Sequence, residues 1–237
     1  MKELSGSELA KKRAAEKACE LVKDGMAVGL GTGSTAAYAI RLLGRRVREE
    51  GLDIVGVPTS YASEELAIEC GIPLVSLAER PELDIDIDGA DQVDASLNLI
   101  KGGGAAHTRE KVVACSSRLF VVVIDDKKMK DMLSRPVPIE VLPYARRLVE
   151  RKVAELGGKC AWRVSGGKDG PVISDNGNII GDCDFGPIES PALLSQKLSA
   201  MPGLVEHGIF TNADIVYIGY EDRVERLERN KNGIQPC

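Results

Sequence analysis

The sequence predicts an α/β fold, a mostly parallel sheet with helices on both faces, carrying an inserted small α+β domain. Two observations predict it. Short apolar runs alternate with helical periodicity as far as about Ile124, the grammar of parallel strand–helix–strand units. Beyond about Arg135 that grammar breaks: Pro136, Pro138 and Pro143 punctuate the chain, and strand-like and helical segments mix without strict alternation. The 237 residues suffice for one large α/β domain or two unequal ones. With three Phe, five Tyr and one Trp, the core is expected from Val, Ile, Leu and Ala.

The elements follow in order. Residues 7–23 place Leu9, Ala14, Ala15, Ala18, Cys19, Leu21 and Val22 at helical spacing, and Gly25 supplies a stop. A run from Met26 to Leu30 breaks into Gly31-Thr32-Gly33-Ser34-Thr35, after which Ala36 to Glu50 reads as a helix with Ile40, Leu42, Leu43 and Val47 inward. A strand over Ile54–Val57 and a helix over Ser60–Glu69 repeat the unit. Strands at Leu74–Leu77 and Leu83–Ile87, a helix at Ala105–Cys115 and the strongly apolar strand Leu119–Ile124 continue it. The later texture holds a helix at Ala145–Leu156, a strand near Cys160–Val164, and Asn176-Gly177 between β-rich runs, a strong hairpin signal. A helix at Pro191–Ala200, a strand near Gly208–Phe210 and an apolar strand at Ala213–Ile218 come next. Arg223–Cys237 reads as a polar terminal helix that frays.

Charge and composition narrow the function. The chain carries 31 Lys+Arg against 36 Asp+Glu and lacks the basic stripe that nucleic-acid binding needs. An anionic ligand must therefore be met by local amides and a few placed cations. Two histidines, His107 and His207, leave little for imidazole metal sites or proton relays. The six cysteines are dispersed, with no Cys-x-x-Cys, so zinc and thioredoxin-like readings fail and reduced thiols in a cytoplasmic protein are expected. The N-terminal stretch is charged throughout, unlike a secretory signal, and no apolar run approaches the roughly 18 residues that span a bilayer.

Three motifs carry chemistry. Gly31-x-Gly33-x-x-Ala36 fits a dinucleotide fingerprint, but Val57-Pro58-Thr59-Ser60 ends the second strand without the acid that holds the ribose. What remains is a glycine turn with the hydroxyls of Thr32, Ser34 and Thr35 opening a helix, suited to one phosphate or to sugar hydroxyls, or a plain tight turn. Asp84-x-Asp86-x-Asp88-Gly89 imitates a calcium loop, but its twelfth position is Ala95 instead of glutamate, and Leu83, Ile85 and Ile87 alternate as a strand does. Asp88 and Asp91 instead stand where a parallel strand ends, the place open α/β sheets put ligands, while Asp84 and Asp86 read as structural. Lys101-Gly102-Gly103-Gly104 lets backbone approach a ligand closely, with Lys101 as a point charge and Glu110 one turn into the following helix. His107 and Glu110 have the spacing of a metal pair, but no second such pair exists, so no metal is expected.

GTGST (31–35), PTSYAS (58–63), DGAD (88–91), KGGGAA (101–106) with TREK (108–111), and Asp125-x-x-Lys128 occur in this order. Weaker landmarks follow at LGGK (156–159), SDNGN (174–178), MPG (201–203) and GIFTNADIVYIG (208–219). The ordered set resembles ribose-5-phosphate isomerase of the A type over nearly the whole chain. The resemblance implies a Rossmann-like domain over 1–135 and 208–237 with a small ferredoxin-like α+β domain over 136–207. It implies interconversion of ribose 5-phosphate and ribulose 5-phosphate in the pentose phosphate pathway without metal or organic cofactor. Glu110 matches the base, which has to be partly desolvated, and Lys101 with the amides of Gly102, Gly103 and Gly104 would stabilise a cis-enediolate. Asp88 would open the sugar ring, and Asp91 would orient substrate or Lys101. Thr32, Gly33, Ser34, Thr35, Gly89, Ala90 and Lys128 match substrate-binding positions, and a homodimer or homotetramer is implied. His107 departs from the pattern, standing where an apolar residue is expected, and is assigned to the surface or a subunit contact.

Other classes fit less well. A sugar-phosphate sensor on the same fold would carry a DNA-binding helical module and would not need Glu110 and Lys101 together. A coenzyme A transferase uses a glutamate nucleophile but not the KGGG and TRE arrangement, and a dehydrogenase needs the missing ribose-binding acid.

Overall fold

The computed structural model describes residues 5–229. The chain divides into two compact units. The first takes the described residues of Met1–Ala90, Arg109–Met129 and Asn212–Cys237, and the second takes Asp91–Thr108 and Lys130–Thr211.

The first unit is built on a six-stranded sheet in the order Val224–Glu228, Ile215–Gly219, Phe120–Asp125, Ile85–Asp88, Met26–Leu30, Ile54–Pro58. Every neighbouring pair is parallel except at one edge, where Val224–Glu228 runs antiparallel to Ile215–Gly219. Helices Gly6–Cys19, Ser34–Glu50 and Tyr61–Glu69 pack one face, burying Ala14, Ala18, Ile40, Leu43 and Ala67 against Val28, Ile87, Val121 and Val123. On the other face Val113 of helix His107–Cys115 joins Ala27, Val57 and Leu83. Gly29 makes that contact possible: a Cβ there would lie 2.6 Å from Val113 Cγ1. The expected arrangement of helices on both faces of a mostly parallel sheet is what the chain forms.

The first unit departs from the sequence reading in three places. The first helix closes at Cys19 instead of running to 23, although it starts as a capping box predicts, with Ser5 and Glu8 bonded reciprocally. Leu74–Leu77 is no strand: one parallel bridge joins Leu74 to Gly56. The tail is a strand over Val224–Glu228, not a helix, because its backbone pairs along the whole of Ile215–Gly219. The remainder of that expected helix, 230–237, lies outside the described residues.

The second unit holds a four-stranded antiparallel sheet in the order Leu204–His207, Val137–Val141, Ile179–Asp184, Lys159–Trp162. Helices Arg146–Glu155 and Pro191–Ser199 complete a strand–helix–strand–strand–helix–strand sequence, the ferredoxin-like arrangement. Val137, Ile139, Val141, Ile179 and Cys183 pack with Val149, Val153 and Leu198 of the two helices. The central strand Val137–Val141 is absent from the sequence reading, since its Pro138 looks like a breaker. A short antiparallel sheet of Ile209–Phe210, Leu99–Ile100 and Gln92–Val93 adds to the unit. Gly177 turns the expected hairpin at φ 83, with Ile173 bridged to Ile179.

Candidate active site

Of the residues singled out by motif, Thr32, Gly33, Ser34, Thr35, Asp88, Gly89, Ala90, Glu110 and Lys128 belong to the first unit. Asp91, Lys101, Gly102, Gly103 and Gly104 belong to the second.

In the first unit, strands Met26–Leu30, Ile85–Asp88 and Phe120–Asp125 are parallel neighbours, so the segments that leave their carboxyl ends emerge along one edge of the sheet. The chain passes from Met26–Leu30 to Ile54–Pro58 on one side, while Ile85–Asp88 lies on the other. That reversal opens a crevice at the strand ends, the topological switch point where such sheets bind ligands. Gly31 and Asp88 flank it.

Local bonds show how this crevice is made. Asp88 is fully buried, and its Oδ1 accepts from the amides of Thr32 at 3.0 Å and Gly89 at 2.7 Å. Gly31 has to lack a side chain, because a Cβ would sit 2.2 Å from Asp88 Oδ1. Gly33, at φ 114, caps helix Ser34–Glu50 in a conformation that favours glycine. The Thr32 hydroxyl bonds Thr59 and Ser60, each at 2.7 Å, which gives the PTSYAS segment its part. Thr32 thus uses its amide and hydroxyl to build the turn. Ser34 accepts from Lys11 Nζ at 3.1 Å, so the first helix delivers a cation to the glycine turn that motif reading passes over. Lys128 ends a short 3-10 turn, Asp126–Lys128, capped by Asp125.

Glu110 lies in the first turn of helix His107–Cys115 and is 3% exposed, so its carboxyl is largely removed from water. One residue earlier, the Arg109 guanidinium stacks over Tyr61 at 4.9 Å. The aspartates that imitate a calcium loop have other work. Asp84 accepts from the Ala27 amide at 2.9 Å, and Asp86 is fully buried beneath Gly29.

In the second unit the glycine loop lies over the helix-free face of the four-stranded sheet. Lys101 is 2% exposed, its ammonium 5.6 Å from the Phe210 ring centroid. Pro138 explains how Lys101 is held. Gly208 donates to the Pro138 carbonyl at 2.7 Å, but proline has no N–H to return the bond, and the Gly208 carbonyl takes the Lys101 amide instead at 2.8 Å. The Gly103 amide donates to Asp91 Oδ2 at 2.7 Å, so Asp91 orients the loop, and this amide is committed to it. The Gly102 and Gly103 carbonyls accept from Arg163 Nη1 at 3.0 and 3.1 Å.

His107 is neither at the surface nor available to a subunit contact. It is fully buried, its Nε2 is 3.3 Å from the Glu206 carbonyl, and a Cβ on Gly102 would lie 2.7 Å from its Nδ1. A planar, polar ring fits under a backbone that has no side chain, which is why an apolar expectation fails there. Nearby, Glu140 is fully buried and collects Thr108 Oγ1 at 2.5 Å, Ser174 Oγ at 2.8 Å and Asn178 Nδ2 at 2.7 Å, with Asn176 at 3.2 Å. Burial opposes its charge, but these donors together outweigh burial and hold its carboxyl below the usual range. The SDNGN landmark is therefore a cradle for Glu140.

In the first unit a parallel sheet carries Asp88 and a glycine turn at its switch point, and the second unit is ferredoxin-like with a glycine loop of its own, the architecture of an α/β enzyme. The family model described as ribose 5-phosphate isomerase A (phosphoriboisomerase A) matches residues 55–223. Ribose-5-phosphate isomerase A of Methanosarcina acetivorans is 59% identical over 212 residues, covering 90% of this chain and 91% of that protein. Among solved structures, ribose 5-phosphate isomerase A from Methanocaldococcus jannaschii aligns with TM-score 0.91 at 46% identity, covering 94% of this chain and 100% of that one. A D-ribose-5-phosphate isomerase in complex with phospho-erythronic acid aligns with TM-score 0.92 at 45% identity, covering 95% and 100%. The chain belongs to the ribose 5-phosphate isomerase A family.

Proposed function

We propose that this chain interconverts ribose 5-phosphate and ribulose 5-phosphate, with Glu110 carrying one proton between C2 and C1 through a cis-enediolate. The observation that carries the assignment of the base is the burial of Glu110 in the helix that follows the KGGG loop. A carboxylate sheltered from water is a stronger base, and one base within about 3 Å of both carbons can serve both half-reactions. Relatives named as ribose-5-phosphate isomerases support the substrate. The ligand named in one of them is a phosphorylated sugar acid, whose carboxylate resembles the charge of an enediolate.

In this reading Asp88, fixed by two amides, exchanges the ring hydroxyl proton on opening. Lys101 and those glycine-loop amides not committed to Asp91 meet the negative charge that develops on O1 and O2, donors of a kind worth about 3–4 kcal/mol each. Lys11 and Lys128, with Gly33, Ser34, Thr35, Gly89 and Ala90, hold the phosphate and hydroxyls. The reaction is proposed to need no metal or organic cofactor, to occur in the cytoplasm, and to be carried out by a homodimer or homotetramer. Light scattering on the eluted protein reads the last point. No helix among the described residues is long and apolar enough to cross a membrane.

The test is ketose formation from ribose 5-phosphate in EDTA. Wild type is expected to turn over, and Glu110→Gln to lose at least about 1000-fold in kcat. No wild-type turnover sinks the isomerase reading, and full activity in the variant sinks the base.

A further inference from the structure

We propose that Arg163, held by Asp182, is a positioning residue that fixes and polarises the glycine loop, so that the Gly104 amide becomes the loop's donor to the enediolate. The inference rests on the isomerase reading above. Its ground is a chain of bonds inside the second unit. Asp182, on strand Ile179–Asp184, takes Arg163 in a fork: Nε to Oδ2 at 2.9 Å and Nη2 to Oδ1 at 2.5 Å. The third edge of the guanidinium, Nη1, donates to the carbonyls of Gly102 and Gly103. The pair is part-buried, with side-chain exposures of 19% and 32%, so it keeps its geometry with limited competition from water.

The chemistry follows from the peptide group. The Gly102 carbonyl shares a peptide unit with the Gly103 N–H, and the Gly103 carbonyl shares one with the Gly104 N–H. In a trans peptide the two polar groups point to opposite edges, and the described chain has no cis bonds. A cation on the carbonyl draws electron density from the amide, strengthening the bond that the N–H donates, by an estimated 10–30% per link. The Gly103 amide spends that gain on Asp91. The Gly104 amide is the one left to the reaction by the same clamp. Gly102 stands at φ 102, which glycine adopts readily, while Ala105 at φ 62 is strained and is held by its own amide donating to the Gly102 carbonyl at 3.0 Å, the same carbonyl that Arg163 engages. An arginine is needed because lysine, a single point donor, cannot engage the carboxylate fork and two carbonyls at once.

A clamp that acts on developing charge affects the intermediate more than the substrate. We would compare wild type, Arg163→Ala, Arg163→Lys and Asp182→Asn by steady-state kinetics with ribose 5-phosphate and by inhibition with 4-phosphoerythronate. Arg163→Ala is expected to lose about 30-fold in kcat with KM within about threefold, and to weaken 4-phosphoerythronate at least about tenfold more than substrate. Millimolar guanidinium should restore part of that kcat without raising wild type. Arg163→Lys and Asp182→Asn are expected to fall between, and they decide the matter if Arg163→Ala does not fold. The inference is overturned if the folded variants keep kcat within about threefold, or if substrate and inhibitor weaken in parallel with no guanidinium rescue. Failure of wild-type turnover removes the isomerase reading itself, a separate outcome that takes this inference with it.

Discussion

Gly31 shows how one missing methyl can set a site. The first turn brings backbone against Asp88 so closely that a Cβ would stand 2.2 Å from its Oδ1 and 2.5 Å from its Cα. The second of these contacts is with backbone and cannot be relieved by a rotamer change. Gly31→Ala is expected to shift Asp88 away from the Thr32 and Gly89 amides, costing about 100-fold in kcat/KM and about 2 kcal/mol in stability. Kinetics with ribose 5-phosphate and denaturant titration check both, and an active variant of unchanged stability would refute the crowding argument. His107 teaches the converse lesson. It occupies space that glycine leaves at 102, so a residue that looks anomalous in the motif is accounted for by its neighbour.

At the scale of elements, the Asn176-Gly177 turn does more than join two strands. With Ser174 and Asn178 it delivers donors to Glu140, and Thr108 adds another from the start of the helix that bears Glu110. Because the folded carboxyl is held below its unfolded range, its contribution is complete above the unfolded pKa of about 4.3 and is lost as pH falls through the folded value. Stability is therefore expected to be flat from this source near neutrality and to drop on acidification below about pH 4.5. Glu140→Gln should cost roughly 3 kcal/mol at pH 7, since its amide group turns donors against donors, and the difference from wild type should narrow by pH 3. Thermal melts across that range measure both, and a constant difference would assign the loss to packing instead of charge.

At the scale of the whole molecule, much of the fold was legible because each unit of the first sheet announces itself: apolar run, glycine turn, periodic helix. The motif order likewise singles out Asp88, Lys101 and Glu110 as the proposed site, since glycines and charges beside strand ends have few structural uses. What stayed hidden was whatever depends on partners far along the chain. Val137–Val141 carries a proline that reads as a break, yet its missing N–H is what leaves the Gly208 carbonyl to Lys101. Arg163 has no local signal, since its fork partner stands at 182 and its carbonyls at 102 and 103. The polar tail resembles a helix until Ile215–Gly219 is there to pair with it. The same interleaving bears on how the chain is made. The chain crosses between units after Ala90, Thr108, Met129 and Thr211, so each unit waits for residues encoded beyond a segment of the other. A ribosome that has released the first 210 residues has yet to supply Ile215–Gly219, the strand between Phe120–Asp125 and the sheet's edge. Folding is expected to be late and slow, governed by long-range closure. A fragment of residues 136–207, cut where composition changes, should remain unstructured by circular dichroism, whereas adding 91–108 in trans should recover part of its β-sheet signal.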